Sequence, residues 1–458
     1  MKNTATRRTF IKAILAASAA PVIVPAGVVR AQGSKPTPSN RVALAYIGVG
    51  NMGTAGLCQQ LANPEAQVVA VCDCFLDRRE RAAARVDEAY KTKGCAAVRD
   101  FRDLLARPDV DAVEIATADH WHVPLALYAV RAGKDVYVQK PLGTSMRWAW
   151  LLREEVKRRK TVFQYGTQQR SDGRFRLVCE LVRNGVIGKV RRVEAWCPSM
   201  ATDVGGIFNE GSALRKFHLD TATAPVPDTL DYDMWLGPAP AKLYTNARVT
   251  THGIYHINDY ALGFIAGWGA HPVDIAQWGL GTDDTAPVAY SGTGRFPDVP
   301  GLFDTLAAWD VTCTYASGVD MHFMDWSVAQ PIVTQYRGPC DHGTTFFGEN
   351  GWVSVDRGSM VASNPAWLKT KWGEKNVRLY ESNNQWANFV ACVKSRQPTV
   401  NPIDTAVNGD LISHLSDIAI RTGRAIRWDP KQERIVGDAD AAKRLDRPPR
   451  LPWKVERV

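Results

Sequence analysis

Two residues in this chain have side chains suited to moving a proton and to steadying a negative charge: His271, in GAHPVD, and Lys140, in YVQKPLG. A histidine takes up a proton near neutral pH, and a lysine ammonium hydrogen-bonds an oxygen that is gaining negative charge. Pro141 follows the lysine and sets a turn that aims it. Pro272 follows the histidine and suits the first turn of a helix, HPVDIAQWGLG. The plainer readings are a surface lysine before a turn and a histidine that caps a helix. Asp274 is a candidate substrate contact or a first-turn acid that suits the helix dipole.

Residues 42–73 read as a dinucleotide site. VALAYI is a strand, GVGNMG a glycine turn opening a helix, and QVVAVCD a second strand ending in an acid. Gly48 permits the sharp turn, Gly50 clears the path of a pyrophosphate, and Gly53 lets the helix approach the sheet. Asn51 and Met52 stand at the helix start, where free N–H groups and the helix dipole attract phosphate. Asp73, twenty residues after Gly53, is placed to accept hydrogen bonds from the adenosine ribose. A carboxylate there repels a 2′-phosphate and so favours NAD over NADP. Arg78 and Arg79 lie close by, in a charged run that reads as a solvated helix face.

The elements that must hold these residues follow from the pattern. Residues 41–165 alternate strand and helix, which implies right-handed crossovers and a doubly wound parallel sheet. Lys140 then stands at a strand's carboxyl end, where ligands bind in such sheets. From 166 to 440 alternating strands such as VRRVEAWC and VDMHFMDW, with helices at 173–183 and 271–280, suggest an α+β domain. Its sheet is expected to be open and mainly antiparallel. The fold class is thus α/β, a Rossmann domain plus an α+β domain, with a proline-rich tail over 441–458.

The amino terminus reads as an export signal. Thr6-Arg7-Arg8-Thr9-Phe10-Ile11-Lys12 is a twin-arginine pattern, followed by an apolar run and a small-residue cleavage site near Ala31. Residues 1–31 are the expected signal and 32–40 a linker, which places the mature protein in the periplasm or otherwise outside the cytoplasm, without a membrane anchor. Losing Lys2, Arg7, Arg8, Lys12 and Arg30, and no acid, lowers the net charge from +9 to +4. So small a surplus argues against nucleic-acid binding. Nine cysteines without a C-x-x-C pair suggest free thiols rather than a disulfide framework. Fifteen tryptophans tilt the substrate towards carbohydrate, whose rings stack on aromatic faces.

ATADHWHVPLALYAVRAGKDVYVQKPLG (116–143), GFIAGWGAHPVDIAQWGLG (263–281) and the RTGRAIRWDP and RPPRLPW segments near 421–453 together resemble the Gfo/Idh/MocA oxidoreductase family, in its exported branch. The resemblance covers about 41 to the end. It implies NAD(P)-dependent hydride transfer on sugars, polyols and related pyranosides, and a homo-oligomer built on the open sheet. It puts Lys140 beside the nicotinamide, with Gln139 in place of the family glutamate, and puts Thr117 and His122 near the cofactor. His271 matches the family's proton-accepting histidine, while Gly267 replaces the aspartate that shares its work. His120 with His122, and His252 with His256, have metal-like spacings, but no further ligand accompanies them in sequence, so no metal site is expected.

Three functions fit. The first is an NAD-dependent oxidoreductase acting on a sugar, polyol or glycoside hydroxyl. The second is an NAD-dependent glycosidase or lyase that works through a transient 3-keto sugar and recycles its cofactor internally. Export and Gly267 favour it. The third is a non-catalytic protein holding the nucleotide as a structural part.

Overall fold

The computed structural model describes residues 40–453. The expected signal, nearly all of the linker and the last five residues lie outside them. Residues 42–453 form one compact unit.

Six parallel strands make the first sheet: β1 (Val42–Ile47), β2 (Ala66–Cys72), β3 (Ala96–Val98), β4 (Ala112–Ile115), β5 (Asp135–Val138) and β6 (Phe163–Tyr165). Their order is β3-β2-β1-β4-β5-β6. The order reverses between β1 and β4, and that switch point opens the crevice in which such sheets bind ligands. Strands β4 and β5 are buried along their whole length, as parallel strands covered on both faces must be. The three-residue edge strand β3 has no counterpart in the sequence reading, because AAV carries too little pattern to announce a strand.

The second sheet has nine strands. They are β7 (Val190–Cys197), β8 (Ala289–Arg295), β9 (Ala308–Thr314), β10 (Asp320–Asp325), β11 (Gly343–Gly348), β12 (Gly351–Val355), β13 (Met360–Ala362), β14 (Ile426–Asp429) and β15 (Arg434–Ile435). The order is β13-β12-β11-β7-β10-β9-β8-β14-β15. Only β7 and β10 pair in parallel, so the sheet is mixed and mainly antiparallel. The buried helix Ile403–Thr422 packs on β8 and on the helix Met146–Arg159, tying the two sheets together. One apolar core accordingly runs from Ile47 and Ile115 through Leu142 and Leu152 to Val193, Val311 and Phe346. The tail does more than wrap the surface: Trp453 is buried, with its ring centroid 5.0 Å from that of Trp121. All nine cysteines are free. Among the described residues no helix is long and apolar enough to cross a membrane.

Candidate active site

A cleft of about 410 Å³ lies at the carboxyl ends of the parallel strands. Its floor is the glycine turn between β1 and the helix Asn51–Leu61. Gly48 has φ +86°, and a Cβ there would lie 2.6 Å from the Ala116 carbonyl oxygen. A Cβ on Gly53 would lie 2.0 Å from the Gly48 oxygen, so this glycine lets helix and strand touch. Gly50 differs: its imagined Cβ meets nothing closer than the Arg78 guanidinium at 3.7 Å, and the residue lines the cleft. Bare backbone at that point, with the helix N-terminus behind it, is a cradle for a pyrophosphate. Gly50→Ala is therefore expected to keep the native melting temperature and lose at least about tenfold in nucleotide affinity, about 1.4 kcal/mol. Gly53→Ala is expected to lose stability as well. Thermal melting and nucleotide titration of both variants check the pair.

Asp73 is buried at the end of β2 and lines the cleft. Its carboxylate accepts from Val49 N and Phe75 N, both at 2.9 Å. Burial pushes its pKa up, and those two N–H groups pull it back. Arg78 stacks on the Phe75 ring at 3.9 Å and lines the cleft, so it is a wall residue rather than part of a solvated face.

Asn51, Met52, Thr117, His122, Gln139 and Lys140 also line the cleft, with Gly48 and Gly50. Lys140 Nζ donates to the Gly267 carbonyl oxygen at 2.6 Å and lies 5.8 Å from the Tyr255 ring centroid. Burial lowers its pKa to about 8, against the pull of the Asp119 carboxylate. Asp119 is buried too, and burial drives its carboxyl well above the usual range. One of its oxygens has no hydrogen-bond partner. His122 sets Nδ1 2.7 Å from the Pro141 oxygen and Nε2 3.1 Å from the Thr117 oxygen. It clamps the turn that carries Lys140 to the loop after β4. His120 turns Nε2 to the Trp235 carbonyl, so this pair bonds backbone.

Gly267 explains how the site is joined across the cleft. It ends the helix Phe264–Gly267, and its carbonyl, rather than a side chain, receives Lys140. A Cβ there would meet nothing closer than Tyr255 at 3.5 Å, so crowding does not enforce the glycine. Trp268 follows, 5.8 Å from the His271 ring and with Arg357 4.8 Å over its own. His271 is the second residue of the helix Ala270–Leu280, whose N-cap is Gly269, so the histidine is not a cap. It is buried, and its Nδ1 has no partner. Burial drives its pKa well below the ordinary value, and the charges of Lys140 and Arg357 add to this. The ring is neutral at neutral pH, as a proton acceptor must be.

Asp274 corrects the expectation that it touches substrate. Its oxygens take the Arg170 guanidinium at 2.7–3.0 Å and the Thr167 hydroxyl at 2.8 Å. It holds structure behind the site.

The amino-terminal part, residues 42–167, matches the family model "Oxidoreductase family, NAD-binding Rossmann fold", and residues 213–325 and 369–455 match the C-terminal alpha/beta domain of the same family. The chain belongs to the Gfo/Idh/MocA oxidoreductase family. The cradle of Gly48, Gly50 and Asp73 is that of an NAD-binding domain. A "Glycosyl hydrolase family 109 protein" of Saccharopolyspora erythraea is 39% identical over 153 residues, 32% of this chain and 33% of that protein. An "Inositol 2-dehydrogenase" of Rhodococcus jostii is 31% identical over 154 residues, 33% of this chain and 40% of its own length. The chain thus spans less than half the length of these relatives. Among solved structures, GenD2 from gentamicin A biosynthesis, in complex with NAD, matches 88% of this chain and 99% of its own, with TM-score 0.59 and 20% identity. That likeness is one of fold.

Sequence reasoning missed Asp119, Tyr255 and Trp235, all on the cleft wall. Asp119 sits inside the 116–143 segment but reads as an ordinary helix-start acid. Tyr255 and Trp235 come from two short helices, Thr251–His256 and Tyr232–Leu236, too brief for periodicity to mark.

Proposed function

We propose that this protein oxidises a hydroxyl of a sugar, polyol or glycoside, with NAD as hydride acceptor. The observation that carries this reading is a half-buried Lys140 on the same cleft as the Gly50 and Asp73 cradle, joined to the His271 segment through Gly267. The neutral His271 imidazole, one helix beyond the Gly267 carbonyl and not itself on the cleft wall, accepts the hydroxyl proton, and the Lys140 ammonium donates to the oxygen that gains charge. Trp121 and Trp235 also line the cleft wall. NAD supplies the hydride acceptor when bound. Asp73 supports NAD over NADP through its charge.

A second reading is favoured by Gly267, which leaves His271 without a neighbouring carboxylate. In it the oxidation is transient: the 3-keto group acidifies the adjacent C–H, a base takes that proton as the aglycone leaves by elimination, water adds across the new double bond in a glycosidase or the double bond stays in a lyase, and the hydride returns to the carbonyl carbon. The glycosyl hydrolase family 109 relative supports it. One experiment separates the readings. The nucleotide released by denaturation is identified, and absorbance of the bound cofactor is followed with free sugars and with glycosides. Steady multiple-turnover NADH formation from a free sugar supports the dehydrogenase. Glycoside cleavage without net NADH supports the second reading. NADP as the sole bound nucleotide, or a redox-silent NAD with every substrate, overturns the proposal.

We further propose twin-arginine export, supported by Thr6–Lys12. Changing Arg7 and Arg8 together to lysine is expected to retain the protein in the cytoplasm. Normal arrival of the double variant outside it refutes the assignment.

A further inference from the structure

His252 and His256 lie one turn apart on the helix Thr251–His256, which Thr250 caps by accepting from Gly253 N at 3.1 Å. Residues at i and i+4 share a helix face. Their sequence spacing has no third ligand, but the fold supplies one. Asp203, from the 3₁₀ turn Asp203–Gly205 about fifty residues earlier, points its carboxylate between them. Asp203 Oδ2 is 3.7 Å from His252 Nδ1 and 3.9 Å from His256 Nε2, and all three ligand atoms lie within 4.8 Å of one another. We propose that Asp203, His252 and His256 bind one divalent transition-metal ion, with zinc the best-suited occupant.

Three observations carry the assignment. The first is spacing. A tetrahedral zinc with bonds of 2.0–2.1 Å holds its ligand atoms about 3.3–3.4 Å apart. The two separations from the Asp203 carboxylate, 3.7 and 3.9 Å, need to close by a few tenths of an ångström, and the two histidine nitrogens lie within 4.8 Å of each other. The second is His256 itself. It has no exposed surface, and neither ring nitrogen has a hydrogen-bond partner. Phe264 and Phe303 pack against it at 4.8 and 5.4 Å between centroids, and Phe217 lies 5.1 Å from His252. Aromatic walls offer an imidazole nitrogen nothing to bond, whereas an ion would occupy Nε2. The third is access. The His252 side chain is 23% exposed and that of Asp203 27%, so an ion can enter and keep a water or ligand in its open position. Two imidazoles and one carboxylate with a free position is a donor set that suits zinc and its neighbours rather than calcium or magnesium.

The site stands apart from the hydride chemistry and is independent of the function proposed above. It is coupled to the cleft by geometry, because Thr251, Ile254 and Tyr255 of the same helix line the cleft. An ion tying that helix to the Asp203 turn fixes the ring that lies beside Lys140.

The test is metal uptake by the purified full chain, stripped with a chelator, dialysed and titrated with zinc, with metal content read by mass spectrometry. Cobalt(II) serves as the spectroscopic probe, since low-coordinate cobalt absorbs in the visible. One equivalent is expected. His252→Ala and Asp203→Asn, both partly exposed positions, are each expected to lower affinity at least about tenfold, the least that loss of a ligand's supporting partner costs in metal sites. They are expected to retain nucleotide binding, which reports an intact fold should His256→Ala fail to fold. Cys340, Asp341 and His342 form the other metal-like cluster among the described residues, so His342→Ala is the control and is expected to change nothing. Absence of stoichiometric uptake overturns the site, as does unchanged affinity in both ligand variants or loss of binding in His342→Ala.

Discussion

Replacing Lys140 with alanine is expected to cut turnover by about 10²-fold or more, the usual cost of removing a positioned proton-transfer or charge-stabilising group. The fold is expected to survive. A half-buried ammonium contributes little to stability, because desolvation opposes its charge, and its hydrogen bond to Gly267 O replaces bonds it makes to water when unfolded. The same residue sets a pH profile. Burial holds its pKa near 8, below the ordinary lysine value, so the ammonium is present below that pH and is lost above it. With the ammonium as the active form, kcat/KM falls on the alkaline side with a midpoint near 8. His271, held well below its ordinary pKa, places the acidic limb below that of a free histidine. Lys140→Arg keeps the charge at all accessible pH and is expected to lose the alkaline limb, even where its turnover is reduced. Near-normal turnover in a folded Lys140→Ala protein removes the lysine from the mechanism. An unchanged alkaline limb in Lys140→Arg assigns that limb to another group, Asp119 being the nearest alternative in the cleft.

The parts of this molecule that were legible in its sequence are those whose physics is local. Gly48 and Gly53 act on atoms within a few residues or on the neighbouring strand, and the structure shows the sharp turn at the first and the close helix–strand approach at the second. The alternation that predicts the parallel sheet is likewise a property of consecutive segments, and the six-stranded order bears it out. What the sequence hid is what depends on distant partners. Gly267 reads as a lost carboxylate. In the fold its carbonyl anchors Lys140 from 127 residues away, a role any residue's backbone can play and no side-chain motif can reveal. Asp203 and His252 meet only because a short irregular turn lies against a six-residue helix. Strand β8 escaped notice because AYSGTGR is glycine-rich and mostly exposed, so neither alternation nor apolarity marks it.

Asp274 shows the same limit in a residue that was noticed but misplaced, and its removal is expected to damage stability rather than substrate binding. Its carboxylate faces Arg170, whose side chain is 2% exposed, and accepts from it at three distances between 2.7 and 3.0 Å. Burial acts against the guanidinium, but the charges of Asp274 and Asp283 hold its pKa above the ordinary value. Asn401 Nδ2 and the Thr167 hydroxyl complete the network, joining the end of β6 to the segment before the helix Ile403–Thr422. In Asp274→Ala the guanidinium keeps Asp283, itself a third exposed, and the carbonyl oxygen of residue 274 at 3.4 Å, while the Thr167 hydroxyl loses its acceptor. Removing one partner of a buried pair costs about 3–5 kcal/mol, because the remaining charge stays out of water without compensation. Chemical denaturation is expected to show a loss of that size, with a smaller loss in Asp274→Asn, whose single amide oxygen still accepts from Arg170 while the Thr167 hydroxyl loses its acceptor. Protein of either variant that remains folded is expected to bind nucleotide and turn over substrate normally, since neither carboxylate oxygen faces the cleft. Wild-type stability with lost turnover gives the opposite result and returns Asp274 to the substrate site. The two outcomes differ in which measurement moves, so a single variant decides between a residue that touches substrate and one that holds the wall behind it.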